Sequence, residues 1–105
     1  MTAPGIEQRI EATLERLAAR VEALERDELE VERVPGRLDV EFEDGTKLIL
    51  SRQSATGQIW LAEPQGGWHF DLRDGRWIDD KRGVDLESAL EQLLAAKLGA
   101  PVSLA

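Results

Sequence analysis

The sequence predicts an α+β sandwich, two helices packed on one face of a five- to six-stranded antiparallel sheet, in the order helix, strands, helix. Three observations predict it. Apolar residues recur at helical spacing near the N-terminus, alternate singly with polar residues through the middle, and return to helical spacing before the C-terminus. The joins between the alternating segments are short, so strands adjacent in sequence should pair antiparallel. A chain of 105 residues suffices for one domain, residues 1–105, and is too short to close a second core.

Ile6, Ile10, Leu14, Leu17, Val21 and Leu24 follow one another at steps of three and four, the stripe of one amphipathic helix. At about 100° per residue, Glu7, Glu11, Glu15, Glu22 and Glu25 gather on one flank of that stripe, and Arg9, Arg16 and Arg20 on the other. After Glu28 the period drops to two. Leu29 and Val31 alternate with Glu30 and Glu32, Pro35 and Gly36 turn the chain, and Leu38, Val40 and Phe42 alternate with Asp39, Glu41 and Glu43. Asp44-Gly45 suits a tight hairpin into a third strand over residues 47–52. A fourth strand over 58–63 and a fifth over 68–73 follow, and Asp74-Gly75 leads to a short strand around Trp77 and Ile78. Asp85 is placed to cap a second helix that buries Leu86, Ala89, Leu90, Leu93, Leu94 and Leu98. Gly99 ends it, Pro101 forbids its continuation, and Val102 and Leu104 are expected to lie against the helices.

In the fourth strand, alternation turns Ile59 and Leu61 toward the core and Trp60 away from it. With both helices on one face, Trp60 belongs to the open face, among Gln53, Gln58 and His69. An exposed indole ringed by polar groups has the composition of an interface hot spot, because a partner that covers it buries a large apolar area at small entropic cost. The competing reading is an indole that shields sheet backbone. Trp68, Phe70 and Leu72 alternate the opposite way and are expected in the core, and Trp77 with them.

Acids outnumber bases by 21 to 13, a net charge of −8 that repels nucleic acid and anionic membranes and favours cations or basic protein surfaces. The chain contains no cysteine, which excludes disulfides, thiolate metal sites and cysteine nucleophiles within it. One histidine, His69, cannot build a histidine-rich metal site. Gly66-Gly67 is expected in a hairpin loop without the following helix that phosphate binding needs. The N-terminal residues lack the apolar stretch of a secretory signal and are too acidic for a transit peptide, so the expected location is the cytoplasm.

The segments QIWLA (58–62), GGWHFDL (66–72) and RWID (76–79), in that order and spacing, resemble bacterial frataxin. The resemblance extends over residues 29–98, and over the first helix mainly by pattern. It implies the same α-β sandwich, monomeric without iron. It also implies weak, reversible binding of ferrous and ferric iron through an acidic ridge on the first helix and first strand. Here that ridge is carried onto Glu22, Glu25, Asp27, Glu28, Glu30 and Glu32, with Glu15 and Glu11 upstream. It implies docking on the cysteine desulfurase and scaffold machinery of iron-sulfur cluster assembly, with Trp60, Gln53, Gln58, His69, Arg52 and Glu15 as the partner-binding residues.

Iron ions accept carboxylate oxygens, and acids spaced along a helix edge concentrate cations without a preformed cage. The same charges also suit a solubilising helix face. Ala18, Ala19, Ala23 and Arg26 interleave the ridge, and Ser51 stands where many family members carry asparagine. The implied function is a non-enzymatic regulator or iron donor of cluster assembly; the alternative is a metal-independent module that regulates the desulfurase. Ferroxidase chemistry finds no compact set of histidine and carboxylate ligands to support it.

Overall fold

A computed structural model describes residues 5–104; residues 1–4 and 105, the outermost ends of the expected domain, lie outside the described residues. The period-two region resolves into six strands: β1 (Leu29–Val34), β2 (Arg37–Phe42), β3 (Lys47–Gln53), β4 (Gln58–Glu63), β5 (Gly66–Arg73) and β6 (Arg76–Asp79). They pair antiparallel in chain order, a single meander. Paired residues turn to the same side, so Leu38, Val40, Leu50, Ile59, Leu61 and Phe70 all face one way, and all are buried. Helices α1 (Ile6–Glu22) and α2 (Leu86–Leu98) lie over that face and bury Ile10, Leu14 and Leu17 from one, Ala89, Leu90 and Leu94 from the other. Each large aliphatic side chain so buried contributes roughly 1.5–3 kcal/mol. The expected architecture is the observed one, with six strands.

The helical stripe ends earlier than its spacing suggests. Helix α1 stops at Glu22, and the turn beyond it tightens through Leu24 N donating to Val21 O and Glu25 N to Glu22 O, both at 3.1 Å. Glu25 takes a left-handed φ of 52° and leaves the acidic flank of the helix. Leu24 still packs on the core from this turn, so its spacing signalled burial and not helix. Strand β5 starts at Gly66, earlier than expected, because two glycines carry no alternation to read. Trp68 and Leu72 are half-buried where core was expected. The Arg82 guanidinium, 3.8 Å from the Trp68 ring centroid, covers that indole in place of a helix, and its Nε1 donates to Glu63 Oε2 at 2.7 Å.

Trp77 is 6% exposed, and its Nε1 donates to Thr13 Oγ1 at 3.0 Å, tying the last strand to α1. The tail returns between the helices as expected. Leu104 is buried, its N–H donates to Glu91 Oε2 of α2 at 2.7 Å, and its carbonyl accepts from Arg20 Nη1 of α1 at 2.5 Å.

Glu11 fastens α1 to the sheet. Its Oε1 accepts from Arg33 Nη2 at 2.6 Å and from the Gly36 N–H at 3.1 Å, and its Oε2 accepts from Arg52 Nη1 at 2.7 Å. One carboxylate thus gathers β1, the β1–β2 turn and β3. Burial pushes the Glu11 carboxyl up, but the Arg33 hydrogen bond, the Gly36 N–H and the two guanidinium charges outweigh it and hold the group below its usual range. A depressed carboxyl stabilises the fold above its unfolded pKa, and that contribution is lost as pH falls through the folded value. Replacing Glu11 by Ala strands two guanidinium groups and is expected to cost about 2 kcal/mol, roughly 10 °C in Tm. Urea melts at successive pH values should show wild type losing stability as pH falls through and below the usual carboxylate range, with a shallower loss in Glu11→Gln.

Candidate functional site

The register of the central strands builds the open face. Ser51 pairs with Trp60, and Trp60 with His69, so the three form one row; Gln53 pairs with Gln58 in the next. The His69 ring stacks on the Trp60 indole with centroids 4.4 Å apart and planes 20° from parallel. Trp60 Nε1 donates to Gln58 Oε1 at 2.8 Å, and Gln53 Nε2 donates to Ser51 Oγ at 3.0 Å. Trp60 is therefore on the face expected for it but half-buried by its neighbours, with its one hydrogen-bonding group already satisfied.

Four of the six residues assigned to the partner face, Trp60, Gln53, Gln58 and His69, come together there. Arg52 does not. It alternates with Ser51 and Gln53, so it points to the helix side, where it pairs with Glu11. Glu15 stays on α1, with a side chain 74% exposed and a 3.4 Å contact to Arg33 Nε. The resemblance grouped Arg52 with Gln53, whereas strand parity sets the two on opposite sides of the sheet.

The acidic ridge divides along β1. Glu22 at the end of α1, with Glu25 and Asp27 in the connection, lines an open cleft beside Arg26, Leu29 and Val31. Glu28 is held by Arg26, which donates Nε to Oε1 at 3.0 Å and Nη2 to Oε2 at 2.7 Å. That hydrogen-bonded guanidinium is the main reason its carboxyl is drawn down to about 2. Glu30 and Glu32 project to the open face, directly opposite Glu41 and Asp39 of β2. Like charges facing across a ladder destabilise it, and two bases offset them. Lys47 pairs in register with Glu41, and Arg37 grips Asp39 through two 2.7 Å hydrogen bonds.

Asp39, 4% exposed, is a carboxylate that sequence reasoning did not single out. Its Arg37 hydrogen bonds, outweighing burial, hold its carboxyl below the usual range. The signal was present: Arg37 and Asp39 lie two apart in a strand and so share a face. Asp71 and Asp80 touch Gln58; Asp71 shares the open face with His69 as strand parity expects, whereas Asp80, beyond β6, carried no such signal. No three acidic or histidine side chains among the described residues converge as a metal-binding group. Glu22, Glu25, Asp27, Glu30 and Glu32 are exposed along one edge of the molecule, where their negative charges add to one field.

This geometry has close counterparts. A family model described as a frataxin-like domain matches residues 4–100. Iron-sulfur cluster assembly protein CyaY of Ralstonia nicotianae is 38% identical over 96 residues, 91% of this chain and 81% of that protein. The CyaY protein of Thioalkalivibrio sulfidiphilus is 41% identical over 100 residues, 93% of this chain and 91% of its own. Among solved structures, frataxin from Psychromonas ingrahamii superposes with a TM-score of 0.91 at 27% identity, covering 100% of this chain and 99% of its own. Trimeric frataxin of the yeast Saccharomyces cerevisiae, complexed with ferrous iron, gives a TM-score of 0.76 at 26% identity, with 94% and 90% covered. A meander roofed on one face, an indole on the other and these matches along nearly the whole chain lead to one conclusion: the chain belongs to the frataxin-like family.

Proposed function

We propose that this protein is a cytoplasmic, non-enzymatic component of iron-sulfur cluster assembly that docks on the cysteine desulfurase through the Trp60 face. It binds ferrous or ferric iron weakly and reversibly along the acidic edge, as an iron-responsive regulator or an iron donor. The observation that carries this reading is that β1 turns Glu30 and Glu32 onto the same open face that presents the Trp60 indole. A partner lying on that face meets an aromatic anchor flanked by negative charge, the combination that suits a basic surface with an apolar contact at its centre. The relatives named for cluster assembly, and the yeast frataxin complexed with ferrous iron, support the same assignment.

A metal-independent regulator of the desulfurase is the second reading. The spread of the carboxylates and the occupation of Glu28 by Arg26 favour it. Titration of 15N-labelled protein, first with ferrous iron under anaerobic conditions and then with desulfurase, separates the two. Iron should move the amide signals of residues 22–32, and desulfurase should move those around Trp60 and His69. Desulfurase binding with no iron response at the edge selects the second reading.

Trp60→Ala should weaken desulfurase binding about 30-fold, the scale of an interface hot spot. Arg26→Ala bears on the metal instead. With its guanidinium gone, the Glu28 carboxyl, drawn down to about 2 in the wild type, should return toward the usual carboxylate range in a 13C-detected titration. The freed oxygens should raise ferrous affinity about two- to fourfold; an unchanged affinity would exclude Glu28 from the metal edge.

A further inference from the structure

The hydrogen bonds around Trp60 run in one direction only. An indole N–H can donate and never accept, and this one meets Gln58 Oε1 at 2.8 Å. The Gln58 amide nitrogen donates to Asp71 Oδ1 at 2.9 Å and approaches Asp80 Oδ2 at 3.4 Å. Ionised carboxylates only accept. Turned over, the amide would set its nitrogen against the indole N–H and its oxygen against two carboxylates, so its orientation is forced. The two carboxylates are themselves anchored. Asp71 faces Arg73 Nη2 at 3.7 Å, Asp80 faces His69 Nδ1 at 3.8 Å, and the Asp80 N–H donates to the His69 carbonyl at 2.8 Å. His69 in turn stacks on the indole, so the ring is held by one edge and one face.

We propose that Gln58, oriented by Asp71 and Asp80, is a positioning residue of the docking face: it fixes the pose of the Trp60 ring and satisfies its N–H within the chain. The proposal rests on the reading of the Trp60 face as the desulfurase-docking surface. A partner then meets a ring whose rotamer is already chosen, and less side-chain freedom is lost on docking. It also need supply no acceptor for the indole. A partner group that lies over the ring, apolar or cationic, is favoured over one that offers a carbonyl to the N–H.

Two variants test this in the free protein and in the complex. Gln58→Leu removes both the acceptor and the donors. The double replacement Asp71→Asn with Asp80→Asn supplies donors as well as acceptors, which lets the Gln58 amide turn over. In 15N spectra the indole N–H of Trp60 is read separately from those of Trp68 and Trp77. Both variants should move the Trp60 indole peak and speed its exchange with solvent about tenfold, while the other two peaks stay in place; desulfurase docking should weaken about three- to tenfold. A Trp60 peak that does not move in Gln58→Leu overturns the positioning role, even where Trp60→Ala abolishes docking. A peak that moves with no change in docking, where Trp60→Ala does abolish it, also overturns it, because the pose would then not matter to the partner. Docking that survives Trp60→Ala overturns the docking reading itself and removes Gln58 from it.

Discussion

Two helices cover one face of the sheet, and among the described residues no helix covers the other. The rest of the molecule follows from that asymmetry, because in a strand each residue belongs to one face or the other and cannot serve both. Leu38, Val40, Leu50, Ile59, Leu61 and Phe70 face the helices and are buried. Residues one position away are released from packing and become available for recognition. Trp60 is the clearest case. Flanked by two fully buried neighbours, Ile59 and Leu61, it is turned outward by strand geometry alone. A register slip of one residue would bury the indole and expose those neighbours, so the integrity of the core and the presence of the Trp60 face are one constraint.

The charges obey the same geometry but divide into three kinds of work. Glu11, a residue of α1, holds the helix to β1 and β3 through Arg33 and Arg52, so it is committed to the fold. Asp39 and Glu28 are each gripped by an arginine two residues earlier, and these pairs neutralise charge that would otherwise crowd the β1–β2 edge. Glu22, Glu25, Asp27, Glu30 and Glu32 stay exposed, and they form the negative edge left for cations or a basic partner. The count of 21 acids therefore overstates the carboxylates left for binding. What matters is which carboxylates are gripped by hydrogen-bonded guanidinium groups, as Glu11, Glu28 and Asp39 are, and that depends on the chain's path and not on its composition.

Leu24 and Leu104 show why helical spacing reads burial better than structure. Leu24 keeps the apolar rhythm of α1 yet lies beyond the helix, in a turn that still reaches the core. Leu104 carries no periodic signal, yet it is buried and tied to both helices by its own backbone. Apolar side chains seek the interior by whatever backbone brings them there, and hydrogen bonds at the ends decide which conformation that is.

The sequence by itself determined the order of elements, the two faces of the sheet, the side on which Trp60 stands and the family resemblance, because each depends on local period and on short motifs. The resemblance placed Arg52 with the partner face, although the alternation of its strand sets it on the helix side. Only the tertiary structure decided that Arg52 crosses to Glu11, that β1 splits the acidic ridge between a cleft and the open face, and that Asp71 and Asp80 orient Gln58 beneath the indole edge. Each of those decisions joins residues far apart in the chain. They are set by strand register and helix placement, which minimise the energy of the whole core, and no window of local sequence contains that sum.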